Sequence, residues 1–126
     1  MKRKIYIIDD DLDIVESTKI ILETRGYDIK TAYTLEEGDG LIKKELPDLI
    51  ILDVMFPGNQ SGGFELCRNL KANSKTKKIP IIMFTAVNRK WLFKHSIDDD
   101  WLPADEFLDK PVDPTDLLRK IKKYLD

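Results

Sequence analysis

Three carboxylates in a row, Asp9-Asp10-Asp11, close the apolar run Ile5-Tyr-Ile-Ile8. Two such groups about 4 Å apart cost each other roughly 4 kcal/mol at an effective dielectric near 20. The acids must therefore splay into solvent or gather around a cation. A further acid, Asp53, closes the apolar run Leu49-Ile-Ile-Leu52, Thr85 closes a third run, and Lys110 follows the short Phe107-Leu-Asp109. Carboxylates, a hydroxyl and an ammonium, if they meet, suit a hard divalent cation together with a phosphoryl group. Magnesium takes one or two carboxylates and keeps several waters. Phosphoryl transfer needs charge neutralised on the equatorial oxygens, which a cation and a lysine supply. A carboxylate can itself be the nucleophile and become an aspartyl phosphate.

Whether these residues meet depends on the elements between them. Residues 4–8 form a predicted strand too apolar for one exposed face. Leu12 to Thr24 place Ile14, Val15, Thr18, Ile21 and Leu22 on one helical face, with Asp11 as cap and Gly26 as stop. Residues 27–32 alternate as a strand, and Thr34-Leu-Glu-Glu37 is a capping-box pattern opening a helix to about Lys44. Gly38 and Gly40 each cost that helix about 1 kcal/mol relative to Ala, so it is expected to be weak. A strand at 49–53, a Gly-rich loop over 57–63, and a helix carrying Phe64, Cys67 and Leu70 come next. A strand over 79–85, a helix over 88–97, a loop over 98–105 and a strand over 106–109 follow. Asp113-Pro-Thr-Asp116 then caps a last helix ending near Leu125.

Strand and helix thus alternate five times, which predicts a parallel sheet with helices on both faces and right-handed crossovers. In such sheets ligands bind beyond the carboxyl ends of the strands. Asp9, Asp10, Asp53, Thr85 and Lys110 all stand at those ends, so residues scattered from 9 to 110 are expected at one edge.

The chain has 126 residues, which predicts a single domain over 1–126. Its 21 basic and 23 acidic residues nearly cancel, so charge makes no case for direct nucleic-acid or membrane contact. No apolar run nears the roughly 20 residues of a membrane span. The single cysteine, Cys67, excludes an internal disulfide and reads as a small buried apolar residue, which fits a reducing, cytoplasmic setting. One histidine, His95, excludes multi-histidine metal sites. The second acidic run, 98–100, follows no strand and reads as a solvated loop, while Trp91 and Trp101 read as packing.

The segments "IIDDD" (7–11), "PDLIILDVMFPG" (47–58), "IPIIMFTA" (79–86) and "FLDKP" (107–111) together resemble the receiver domain of two-component response regulators. The resemblance covers nearly the whole chain. It implies an α/β fold of the flavodoxin-like receiver type, a doubly wound five-stranded parallel sheet in strand order 2-1-3-4-5. It implies a phosphorylatable switch, not an enzyme acting on a separate substrate, that takes a phosphoryl group from a histidine kinase or phosphotransfer protein. Asp53 would be the phosphoacceptor. Asp10 and Asp53 would supply Mg2+ oxygens together with the backbone carbonyl of Met55, and Asp9 would orient metal-bound water. Thr85 would meet the phosphoryl oxygen, Lys110 would neutralise it, and Phe107 would be the aromatic switch. Met55 and Val87, flanking the path of attacking water, imply slow loss of the phosphoryl group. The output would be a downstream protein or a fused output domain. No residues follow the last helix here, so the chain is expected to be a single-domain regulator or a receiver cut from a longer protein.

Two other functions compete. A magnesium-dependent phosphohydrolase with an aspartate nucleophile would share the Asp-x-Asp pair in "DDDLD", but the Thr or Val that should follow is missing and no cap domain fits this length. A degenerate receiver used only for binding would lack Asp53, Thr85 or Lys110, and all three are present. A calcium loop read from Asp9 fails, because its glycine and closing glutamate positions hold Ile14 and Ile20.

Overall fold

The structure is a computed structural model and describes residues 2–59, 61–86 and 104–125. In chain order the elements are β1 (Lys4–Ile8), α1 (Leu12–Thr24), β2 (Asp28–Ala32), α2 (Leu35–Lys44), β3 (Leu49–Asp53), α3 (Gly62–Ala72), β4 (Ile81–Thr85), β5 (Glu106–Asp109) and α4 (Pro114–Tyr124). The predicted helix over 88–97, most of the 98–105 loop, and Val87, Trp91, His95 and Trp101 lie outside the described residues.

All strand pairs are parallel, as the alternating pattern predicts, and the order is β2-β1-β3-β4-β5, as the resemblance to receiver domains implies. β3 and β4 are buried along their whole length, because helices cover both faces of the sheet. One core layer joins Ile8, Leu52 and Met83 to Ile42 of α2 and to Phe64, Cys67 and Leu70 of α3. The other joins Ile7, Ile51 and Phe84 to Val15 and Leu22 of α1 and to Leu117 and Ile121 of α4. Successive residues of each strand feed opposite layers, the period-two geometry of a pleated strand.

The helix ends follow the local chemistry. Asp11 accepts from the backbone N–H groups of Asp13 (3.1 Å) and Ile14 (3.2 Å), and Gly26 turns the chain out of α1 at φ 90°. Thr34 accepts from Glu37 N–H at 3.0 Å, and its hydroxyl donates to Glu37 Oε1 at 3.2 Å. Asp113 accepts from Thr115 N–H at 3.0 Å with Pro114 in the first turn. β4 starts two residues later than the apolar pattern suggests. Pro80 has no N–H to give a ladder, although its carbonyl accepts from Ile50 N–H at 3.0 Å.

α2 spans its full predicted length despite its two glycines. Gly38 is there because a Cβ at this position would stand 2.6 to 2.9 Å from three side-chain atoms of the fully buried Ile8. Gly40 faces open space and has no such reason. At the other edge, Glu106 clamps β5 to α4 through Lys123 (2.8 Å), Lys120 (3.1 Å) and the Tyr124 hydroxyl (2.7 Å). The hydrogen bond from Lys123 leads the effects that hold the Glu106 carboxyl down at about 2.

Candidate functional site

Where β1 and β3 end side by side, Asp9 and Asp53 are brought together. Asp9 is fully buried, and its backbone N–H donates to the Ala32 carbonyl at 3.0 Å, an extension of the β1–β2 ladder. Its Oδ1 accepts from Asp11 N–H at 3.0 Å. Its Oδ2 lies 3.0 Å from Lys110 Nζ, yet no donor among the described residues is well angled towards it. Asp53, the last residue of β3, is 6% exposed and its Oδ1 lies 3.2 Å from Lys110 Nζ. Thr85 ends β4 and is buried, and Lys110 follows β5, held to β4 by its N–H donating to the Thr85 carbonyl at 2.8 Å. Strand register alone therefore converges four of the expected groups. Asp10 is exposed beside them, and the carboxylate oxygens of Asp9, Asp10 and Asp53 lie within 4.8 Å of one another.

The electrostatics of this edge are those of a crowded anionic pocket with one fixed ammonium. Burial, and then the charge of Asp9, push the Asp53 carboxyl up to about 7, against the pull of Lys110. Burial works against the Lys110 ammonium, but its contacts with Asp9 and Asp53 outweigh that and raise its pKa. An aspartate that prefers its proton near neutrality, and a buried carboxylate oxygen with no aimed donor, are the marks of a site short of positive charge. The donors are all hard oxygens, so the set fits a divalent cation of the magnesium type.

Met55 stands in the turn after β3 and Phe107 is the second residue of β5. Both are half-buried, and their side chains pack against the α2–α3 core layer. Two residues that the sequence reading treated only as loop prove to shape the site. A Cβ at Gly63 would overlap the carbonyl oxygens of Asp53 and Val54, and one at Gly62 would overlap Leu35. The Gly-Gly pair thus lets α3 begin directly against the end of β3, with Gly63 N–H donating to the Val54 carbonyl at 3.2 Å. The only signal in the sequence was two glycines immediately ahead of an apolar helical run. Cys67 takes no part: it is buried in the core, and burial pushes its thiol up to about 12.

Comparison with known proteins gives a consistent result. Residues 5–122 match the family model of the response regulator receiver domain. The chain is 36% identical over 123 residues to the phosphate regulon transcriptional regulatory protein PhoB of Pseudomonas aeruginosa, covering 98% of this chain and 52% of PhoB. It is 35% identical over 122 residues to the DNA-binding dual master transcriptional regulator RpaA of Synechocystis, covering 97% of this chain and 48% of RpaA. The chain thus spans about half the length of the curated relatives it matches. Among solved structures, a CheY-like response regulator receiver domain protein from Methanospirillum hungatei superposes with a TM-score of 0.82 at 36% identity, covering 98% of this chain and 93% of that one. With its strand order, its acid-lined edge and these matches, the chain belongs to the response regulator receiver domain family of two-component systems.

Proposed function

We propose that Asp53 accepts a phosphoryl group and that the other converged residues serve that transfer. The observation that carries this reading is Lys110 Nζ set 3.2 Å from an Asp53 carboxylate that clusters with two more acids within 4.8 Å. An Asp53 oxygen attacks the phosphorus of a phosphohistidine, the P–N bond breaks, and the leaving imidazole keeps the electron pair and takes up a proton. Lys110 neutralises an oxygen of the transferring group, and Thr85 donates its hydroxyl to another. Asp9, Asp10, Asp53 and the Met55 carbonyl would hold Mg2+, which when bound supplies charge neutralisation on the phosphoryl oxygens. Phe107, half-buried on β5, moves with Thr85 when Asp53 is modified and so changes the surface offered to partners.

The donor is a histidine kinase or histidine phosphotransfer protein, and the unit over 1–126 acts as one receiver that catalyses at most its own phosphorylation and dephosphorylation. The output runs through a downstream protein or a fused output domain. PhoB and RpaA are named as transcriptional regulators, RpaA as DNA-binding. Within this reading such contact belongs to an output domain, and the near-neutral receiver does not bind nucleic acid itself. Among the described residues no helix is long and apolar enough to cross a membrane. A cytoplasmic setting is part of the same proposal.

Intact-protein mass spectrometry after incubation with a small acyl phosphate and Mg2+ tests the assignment. One phosphoryl group is expected on the parent and none on Asp53→Asn. Modification of a different residue, or none with Mg2+ present, refutes it.

A further inference from the structure

Two hollows on the α2 side of the molecule adjoin at the shared residues Leu35 and Glu36, making a trough in two parts. The first, about 360 Å³, opens beside Asp10 at the phosphorylation edge and is walled by Tyr33, Phe56 and Pro57. The second, about 370 Å³, runs down between α2 and α3 over a floor of Ile42, Leu66 and Leu70. Gly62 lines the second hollow, packed so closely that a Cβ there would collide with Leu35 and Asn59. The rim is acidic: Asp10, Glu36, Asp39 and Glu65 line the trough. Lys43 is the sole cation among the described lining residues, and its charge is offset by Asp39 at 2.9 Å.

An apolar floor beneath a rim where four carboxylates outnumber one ammonium selects a segment with the opposite arrangement, apolar on one face and cationic along its edges. We propose that this trough docks a basic amphipathic segment of a protein partner, laid along α2 and α3 with one end at Asp10. The proposal rests on the phosphorylation reading only for its position: a segment seated there presents its protein directly to Asp53. Affinity comes from burying the Leu35–Leu66 floor, and the carboxylates supply orientation and salt sensitivity, since exposed charges are screened over about 8 to 10 Å at physiological salt.

The test uses the whole chain and a synthetic peptide of about 18 residues with Leu and Lys at helical spacing, long enough to be helical. A second peptide replaces every Lys by Glu. Binding is followed by fluorescence anisotropy and mapped by amide chemical shifts. The cationic peptide is expected to bind and to shift the amides of Leu35, Glu36, Asp39 and Leu66, with affinity falling as salt rises. Glu36→Lys/Glu65→Lys should weaken it at least tenfold. Glu23→Lys/Asp116→Lys, an equal charge change on α1 and α4, should weaken it less than threefold. Circular dichroism checks that both variants are folded. Equal weakening by the two variants, shifts mapping to another face, binding of the Glu peptide, or no binding at all overturns the proposal. Self-association of the parent that Glu36→Lys/Glu65→Lys abolishes also overturns it, by assigning the trough to a second copy of this chain. Labelling of Asp53 by acyl phosphate in the parent keeps the two readings apart. Unlabelled Asp53 with bound peptide refutes phosphorylation alone, and labelled Asp53 without peptide binding refutes docking alone.

Discussion

Asp53 carries opposing demands. Burial, and then the charge of Asp9, make its ionisation costly, and Lys110 offsets only part of that cost, so without a cation the carboxyl is pushed up to about 7 from its ordinary 3.8. A carboxyl that holds its proton more tightly when folded contributes stability that is complete below about pH 4 and is lost as pH rises to about 7. Metal-free protein should therefore lose stability across that window in a way that Asp53→Asn does not. By pH 7.5 the Asn variant should be more stable than the parent by at least about 1 kcal/mol in chelator, since one pKa unit corresponds to 1.36 kcal/mol. Urea unfolding of both proteins at several pH values checks this. Parallel pH curves for the two would show that Asp53 carries no such burden.

At the scale of elements, glycines set how closely the helices meet the sheet. In α2 the two glycines make opposite predictions although they are two residues apart. Gly38→Ala gains about 1 kcal/mol in helix propensity but drives a methyl against Ile8, where overpacking costs about 1–3 kcal/mol. The substitution should be net destabilising. Gly40→Ala meets nothing within 4 Å and should stabilise by roughly 0.5–1 kcal/mol. Thermal or urea unfolding of the two variants separates them, and equal shifts of the same sign would contradict the packing at Ile8.

For the whole molecule, the convergence of strand ends predicts that a cation adds to stability. Binding only the folded state at ten times its dissociation constant, Mg2+ should add about 1.4 kcal/mol, a rise in Tm of roughly 5 °C for a domain of this size. Asp10→Ala should abolish the rise, because this acid stands at the exposed mouth of the carboxylate cluster. Calorimetry with and without millimolar Mg2+ decides the matter, and an unchanged Tm in the parent would exclude the cation from the cluster.

Much of this was legible from the chain alone. Apolar runs at 4–8 and 49–53, too hydrophobic for a half-exposed sheet, demanded burial on both faces, and helix patterns between them demanded parallel crossovers. Those two constraints put Asp9, Asp53, Thr85 and Lys110 at one edge, because every parallel strand ends on the same side. Local cap chemistry at Asp11, Thr34 and Asp113 was legible for the same reason: it depends on neighbours within four residues. What depends on distant neighbours was decided only by the tertiary structure. Gly38 looked like a weakness in a helix until Ile8 was found beneath it, and Gly63 looked like loop until the Asp53 carbonyl was found against it. The trough between α2 and α3 has no motif at all. It is lined by residues of two helices and the segments around them, brought together by the packed core and not by any one segment of the chain.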